Sequence, residues 1–412
     1  MKAATNTSAP RGAHISSLDG VRGIAILMVV VFHARLANYG WLGVQLFFVL
    51  SGFLITGILW KERVSANTLG FKFKKFWTRR ALRIFPLYFG YLLALGVVYV
   101  LFHFPPYYLK FIPYLLTYTF NYTRTLPLWQ DNPLFTQLWS LCVEEQFYIV
   151  FPFIIFLCPP RFTKIFMLSV IVLAPFIRLA LTRHYLGEGV SALTAGDATC
   201  RNTLSHMDAF FLGGLIPVFR LGERVRRPTA WFFAFLAVAL GAGLANFLAS
   251  PRQFSYFFEL GYPQFSIRNA FEMWGYTCAD ALFAAFILLV ISRPAARLPR
   301  VLSAPWLVRI GQVSYGMYVF NLAVWMYFFD RLRVGGEQPI WFLMLLFIPY
   351  LLIVYGLAEL SYRFYEVRFI RLKDRFFRSP TGPGGVGVGP SSNGPKPTPP
   401  GPAEASQLKN QA

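Results

Sequence analysis

The chain has 412 residues, 56% of them hydrophobic, 18% aromatic and only 14% charged, with a mean hydropathy of +0.49. Soluble globular domains carry about a quarter charged residues, so the composition excludes that class and indicates a bilayer. The net charge of +21 does not indicate a nucleic-acid binder, because the basic residues lie between hydrophobic runs and not on a soluble module or tail.

The apolar runs are roughly 17–25 residues long, enough to cross about 30 Å of hydrocarbon at 1.5 Å per residue. They predict an all-α polytopic membrane protein of about ten transmembrane helices. In chain order these cover residues 15–36, 42–60, 85–103, 138–158, 164–183, 204–221, 229–249, 272–292, 306–329 and 340–361. The first run follows a short polar segment, 1–14, but has no small-residue cleavage site, and a second run starts within a few residues. It therefore reads as a retained helix and not as a signal peptide. With the N-terminus inside, the inner segments hold 23 Lys or Arg and the outer segments seven, so the positive-inside rule predicts both termini in the cytoplasm.

The first predicted helix contains Arg22 and His33. Eleven residue steps of about 100° return to within roughly 20° of the starting direction, about 16 Å along the axis. The two side chains share one face, with Arg22 nearer the cytoplasm and His33 deeper, and ionisable residues inside a span are functional candidates by default. A neutral histidine in low polarity is a proton acceptor; a satisfied packing residue is the alternative. Asp19, one turn before Arg22, suggests an ion pair or an anion contact. In the second helix Gly43, Ser51 and Gly52 suit close packing.

Residues 61–83 interleave lysines and arginines with Phe71, Phe73, Phe76 and Trp77, the pattern of an amphipathic interfacial helix in contact with anionic lipids. Part of this cluster could instead receive a phosphate-rich cytoplasmic ligand. Arg80 and Arg83 stand one turn apart at the start of the third span, placed either to grip phosphate or to anchor the helix. The outer stretch 104–137 is Pro- and Tyr-rich, and is either an entry for an extracytoplasmic acceptor or an ordinary loop.

The fourth span opens with Trp139, Ser140, Glu144, Glu145 and Tyr148. Adjacent glutamates point about 100° apart, so at least one should meet a cation or orient a histidine. Further on, His206, Asp208, Ser314, Tyr315, Tyr318 and Asn321 either line one interior cavity or hold helices together. The four cysteines, Cys142, Cys158, Cys200 and Cys278, form no CxxC pair and indicate neither a metal site nor a disulfide framework. There is no Walker loop, no GxGxxG after a strand, no HExxH and no GxSxG. Residues 379–412 are rich in Pro and Gly and predict a disordered cytoplasmic tail.

Together, LDGVRGIAILMVVVFH, GVQLFFVLSGFLI, RRALRIFPLY, LWSLCVEEQFYIVFP, HMDAFFLGG and GQVSYGMYVFN resemble, in order, the motifs of acyltransferase family 3, over about residues 15–370. The resemblance implies a bacterial cytoplasmic-membrane O-acyltransferase. Such an enzyme moves an acyl group, usually acetyl, from cytoplasmic acyl-CoA to a hydroxyl of an extracytoplasmic acceptor such as an envelope or secreted glycan. By motif position it implies catalytic roles for His33, Arg22 and Glu144 or Glu145, acyl-CoA binding by Arg80 and Arg83, and substrate binding by Trp139, Asp208 and Tyr315. His33 would either deprotonate the acceptor hydroxyl or take the acyl group as a covalent intermediate, with a glutamate of the fourth span stabilising the charged imidazole. Two positions depart from the pattern: Gln45 stands where an acid is frequent, and Asn321 where a histidine commonly closes the motif. Some relatives carry an extracytoplasmic esterase-like domain, which here would be a separate partner. A transporter of lipid-linked sugars, or a non-catalytic envelope-assembly subunit, would also explain buried Arg, His and Glu.

Overall fold

The computed structural model describes residues 15–105, 107–249, 260–330 and 339–376. The expected N-terminal segment 1–14 and tail 379–412 lie outside the described residues. Sixteen α-helices follow in chain order among the described residues: α1 Ser16–His33, α2 Leu42–Arg63, α3 Leu69–Phe102, α4 Tyr108–Leu116, α5 Trp139–Leu157, α6 Pro160–Gly187, α7 Ala192–Arg201, α8 Met207–Val218, α9 Leu221–Arg224, α10 Pro228–Ala249, α11 Phe271–Ser292, α12 Arg297–Leu302, α13 Pro305–Gln312, α14 Ser314–Val324, α15 Ile340–Ser361 and α16 Val367–Phe376. No strand occurs among these residues.

Eight of the helical segments are long and apolar enough to cross a membrane, those built on α1, α2, α3, α5, α6, α10, α11 and α15. The protein is a multi-pass all-α membrane protein. Two layers are distinguished by burial. In α1, α2, α5 and α11, 50–61% of the apolar window is buried, against 17–22% in α3, α6, α10 and α15. The second group presents Leu93, Val172, Phe233 and Leu345 outward, as helices facing lipid must, since hydrocarbon leaves apolar side chains at no cost. The first group forms the interior, to which α3 contributes Arg80 and Arg83 and α6 the buried Arg178.

The sequence-based expectation differs from the structure in three places. The basic segment 61–83 and the span 85–103 are not separate: from Leu69 they form one 34-residue helix, α3, about 51 Å long at 1.5 Å per residue. Thr68 caps it, its Oγ1 accepting from Phe71 N at 3.4 Å, so the Arg80 and Arg83 region continues directly into the span. The expected span 204–221 becomes a 3₁₀ turn, Thr203–His206, followed by the 12-residue α8; at about 18 Å this helix is too short to cross hydrocarbon. It ends before Arg220, which adopts a left-handed φ of 52°. The expected span 306–329 is interrupted at Val313 between α13 and α14, and then widens into a π-helical turn, Trp325–Phe329.

The short α8 is held against α2 by contact between the two backbones. A Cβ on Gly52 would lie 1.9 Å from the carbonyl oxygen of Phe210, and one on Gly213 would lie 1.9 Å from that of Val49. Only glycine permits this approach. Phe147 and Phe210 stack beside it with ring centroids 4.2 Å apart, which fixes α5 against α8 and sets the direction of the α5 side chains.

Candidate active site

Two cavities among the described residues gather the polar side chains. The first is lined by Arg22 of α1, Ser51 of α2, Arg80 and Arg83 of α3, Glu144, Glu145 and Tyr148 of α5, and Tyr315 of α14. Arg22 donates from Nη1 to Asp19 Oδ1 at 2.7 Å, the ion pair that the one-turn spacing suggested. Ser51 Oγ donates to Glu144 Oε1 at 2.7 Å and accepts from the Tyr148 hydroxyl at 3.2 Å. Tyr315 donates its hydroxyl to Ile84 O at 3.0 Å. Arg80 Nε and Glu145 Oε1 are buried without a hydrogen-bond partner. Among the described residues neither Arg80 nor Arg83 forms an ion pair with a carboxylate, whereas Arg178, Arg201 and Arg309 each do. A cavity with two guanidinium groups uncommitted to carboxylates is suited to an anionic ligand.

The second cavity is lined by His33 of α1, Gln45 of α2, Trp139, Arg201, His206 and Gln137, among others. His33 is half-buried there, and its Nδ1 is hydrogen-bonded to Asn321 Oδ1. His206 is buried, with Nε2 bonded to the Cys200 carbonyl and Nδ1 at 3.3 Å from Gln45 Nε2. The Trp139 and His206 rings lie 5.6 Å apart. Arg201 is committed to Asp197, Nε to Oδ1 at 2.5 Å.

Val44 and Tyr318 line both cavities. They form a shared wall between the arginines and the histidine. The Tyr318 hydroxyl donates to Gln137 O at 2.9 Å and meets Ser140 Oγ at 2.5 Å, so the wall is held from α5 and its preceding turn.

The structure therefore gathers Arg22, Arg80, Arg83, Glu144, Glu145 and Tyr315 at one cavity and His33 and Trp139 at the other. Asp208 lines neither. It is fully buried and accepts from Arg178 Nη1 at 3.0 and 2.9 Å and from Thr277 Oγ1 at 2.6 Å. It ties α8 to α6 and α11 rather than facing a ligand. The expected glutamate support for His33 is also corrected: both glutamates line the arginine cavity, and His33 is hydrogen-bonded to Asn321. Of the four free cysteines, Cys142 and Cys200 are buried, while Cys158 and Cys278 are partly exposed. Arg178 was not singled out in the sequence, although an arginine within the apolar run 164–183 was itself a signal.

The sequence profile of the acyltransferase domain family, acyltransferase family 3, matches residues 15–359. The chain belongs to this family. It is similar to the O-acetyltransferase OatA of Staphylococcus aureus strains NCTC 8325 / PS 47 and COL, 26% identical over 366 residues, covering 86% of this chain and 57% of the relative. A second protein of strain COL, provisionally named an O-acetyltransferase, is 28% identical over 372 residues with the same coverage of both chains. The chain thus spans little more than half the length of these relatives. No solved structure matches it significantly.

Proposed function

We propose that the protein is an O-acetyltransferase of the bacterial cytoplasmic membrane, with both termini cytoplasmic. It transfers an acetyl group from cytoplasmic acyl-CoA to a hydroxyl of an extracytoplasmic acceptor, a cell-envelope or secreted glycan. The observation that carries this reading is the division of one helix face between two cavities: Arg22 lines the cavity with the uncommitted arginines, His33 lines the other, and Val44 and Tyr318 are common to both.

Arg80 and Arg83, with Arg22, hold the phosphates of acyl-CoA through charge-assisted hydrogen bonds. The thioester extends past Val44 and Tyr318 toward His33. His33 removes the proton of the acceptor hydroxyl, whose oxygen attacks the thioester carbonyl. The C–S bond then breaks, and the proton on His33 passes to the departing thiolate, so charge and protons balance. Trp139 offers an aromatic face to the acceptor. Glu144, held by Ser51, and Glu145 offset the arginine charge and limit non-productive anion binding. The basic first turns of α3 contact anionic lipid headgroups.

Purified protein incubated with radiolabelled acetyl-CoA and envelope glycans should acetylate the glycan and release CoA, and His33→Ala should abolish both while remaining folded. Full activity in folded His33→Ala overturns the catalytic assignment. Movement of a lipid-linked sugar without CoA release identifies a transporter instead.

A further inference from the structure

The two histidines of the second cavity differ in what their ring nitrogens have left to offer. The Nε2 of His206 faces a carbonyl oxygen, which only accepts, so Nε2 carries the hydrogen; its Nδ1 lone pair faces the Gln45 amide nitrogen. Both nitrogens are occupied. Among the described residues His33 makes one hydrogen bond, through Nδ1, to Asn321 Oδ1.

Asn321 is itself fully buried on α14. Its Nδ2 lies 3.0 Å from Met317 O and 2.7 Å from Tyr318 O. Those two oxygens accept and cannot donate, so the amide nitrogen must face them. The reversed amide would set Oδ1 against two carbonyl oxygens. The side-chain oxygen is therefore directed at His33 by the carbonyls of Asn321's own helix, one turn back. An oxygen at that place requires hydrogen on Nδ1, and in a neutral imidazole the lone pair is then on Nε2.

We infer that Asn321 is a positioning residue that holds His33 in its Nδ1–H form and leaves Nε2 as the nitrogen that receives the acceptor's proton. This rests on the enzymatic reading above and specifies which atom of that site acts. The bond also survives the reaction: when Nε2 is protonated, Nδ1 remains a donor and Oδ1 remains its acceptor. In serine proteases a buried carboxylate orients the catalytic histidine in this way. A neutral amide does so without placing another charge in an apolar interior, where an incompletely compensated carboxylate is costly. The two glutamates of α5 line the other cavity, and Asp131, which lines this one, accepts from Thr136 Oγ1 at 2.6 Å; the oxygen bonded to His33 Nδ1 is that of Asn321.

The test uses full-length protein in nanodiscs, labelled with ¹⁵N-histidine, with His33→Ala identifying the His33 signals among those of the five histidines. The expected spectrum shows protonated Nδ1 and bare Nε2 for neutral His33. Asn321→Leu should lose this preference and lower acetyl-transfer turnover about 10- to 100-fold, a part of what a general base contributes, with acetyl-CoA affinity unchanged. Asn321→Asp retains an acceptor oxygen and should transfer faster than Asn321→Leu. A wild-type His33 protonated on Nε2, or wild-type turnover in Asn321→Leu, overturns the inference. If Asn321→Leu does not fold, the wild-type spectrum decides. A wild-type protein with the expected spectrum but no acetyl transfer overturns the enzymatic reading and leaves the assignment of the ring hydrogen standing.

Discussion

Replacing Asp208 by alanine separates an architectural role from a substrate-binding one. In the wild type Asp208 accepts two hydrogen bonds from Arg178 Nη1, at 3.0 and 2.9 Å, one from Thr277 Oγ1 at 2.6 Å and one from its neighbour Ala209 N at 3.2 Å. Both ion-pair partners are 0% exposed. After the substitution Arg178 retains the carbonyl oxygens of Ser205, Glu272 and Met273 at 2.7, 2.6 and 3.0 Å, but it loses the carboxylate that balances its charge. Removing one member of a buried pair costs about 3–5 kcal/mol, against a typical total stability of about 5–15 kcal/mol. At about 1.4 kcal/mol per tenfold, the unfolded population should rise roughly 10²- to 4 × 10³-fold. Asp208→Asn keeps the size and one acceptor oxygen, and should fall between the two. The assay is thermal unfolding of purified protein in one detergent, followed by tryptophan fluorescence, together with glycan binding by the folded fraction. A protein with wild-type unfolding and lost glycan affinity would refute the architectural assignment and return Asp208 to the substrate site.

Other substitutions probe the remaining parts of the arrangement. Val44→Trp should fill the wall common to both cavities and suppress acetyl transfer while leaving CoA affinity intact, measured by equilibrium binding; equal transfer would show that the thioester takes another path. Arg83→Ala removes an uncommitted guanidinium, and loss of one charge-assisted hydrogen bond, about 1.5–3 kcal/mol, should weaken acetyl-CoA binding roughly 10- to 100-fold. Unchanged affinity would leave Arg83 an interface anchor. Gly52→Val must push α2 from α8, since a Cβ there lies 1.9 Å from Phe210 O; the monodisperse fraction on size exclusion should fall sharply, and a wild-type yield would contradict the close approach.

Much of the membrane architecture was legible because hydrocarbon thickness constrains helix length, and the same rule explains the failures. A hydropathy window counts apolar residues but does not register where a helix stops. Residues 204–221 are as apolar as a span, yet a 3₁₀ turn at one end and the left-handed Arg220 at the other leave a 12-residue helix. The shared face of Arg22 and His33 was legible for a comparable reason, since the angle per residue is local. What lies between them was not: Val44 and Tyr318 are remote in sequence, and only tertiary packing makes them one wall. The adjacent glutamates illustrate this limit. Their presence in an apolar helix indicated polar partners, but the hydroxyl on Glu144 comes from Ser51, 93 residues earlier, which the sequence presents as a small packing residue.

Asn321 extends the argument to chemistry. As a residue type it departs from the histidine that commonly closes the family's motif. Its position in space gives it a different meaning. The carbonyls at Met317 and Tyr318 direct its amide, and its side-chain oxygen faces His33 across 288 positions of chain. Helix geometry alone determines the first relation, because it spans one turn. The second depends on α1 packing beside α14. The surroundings of His33 are thus specified twice, locally by the helix that presents it and remotely by the helix that supplies its hydrogen-bond partner, and the remote half becomes visible only once the chain is folded.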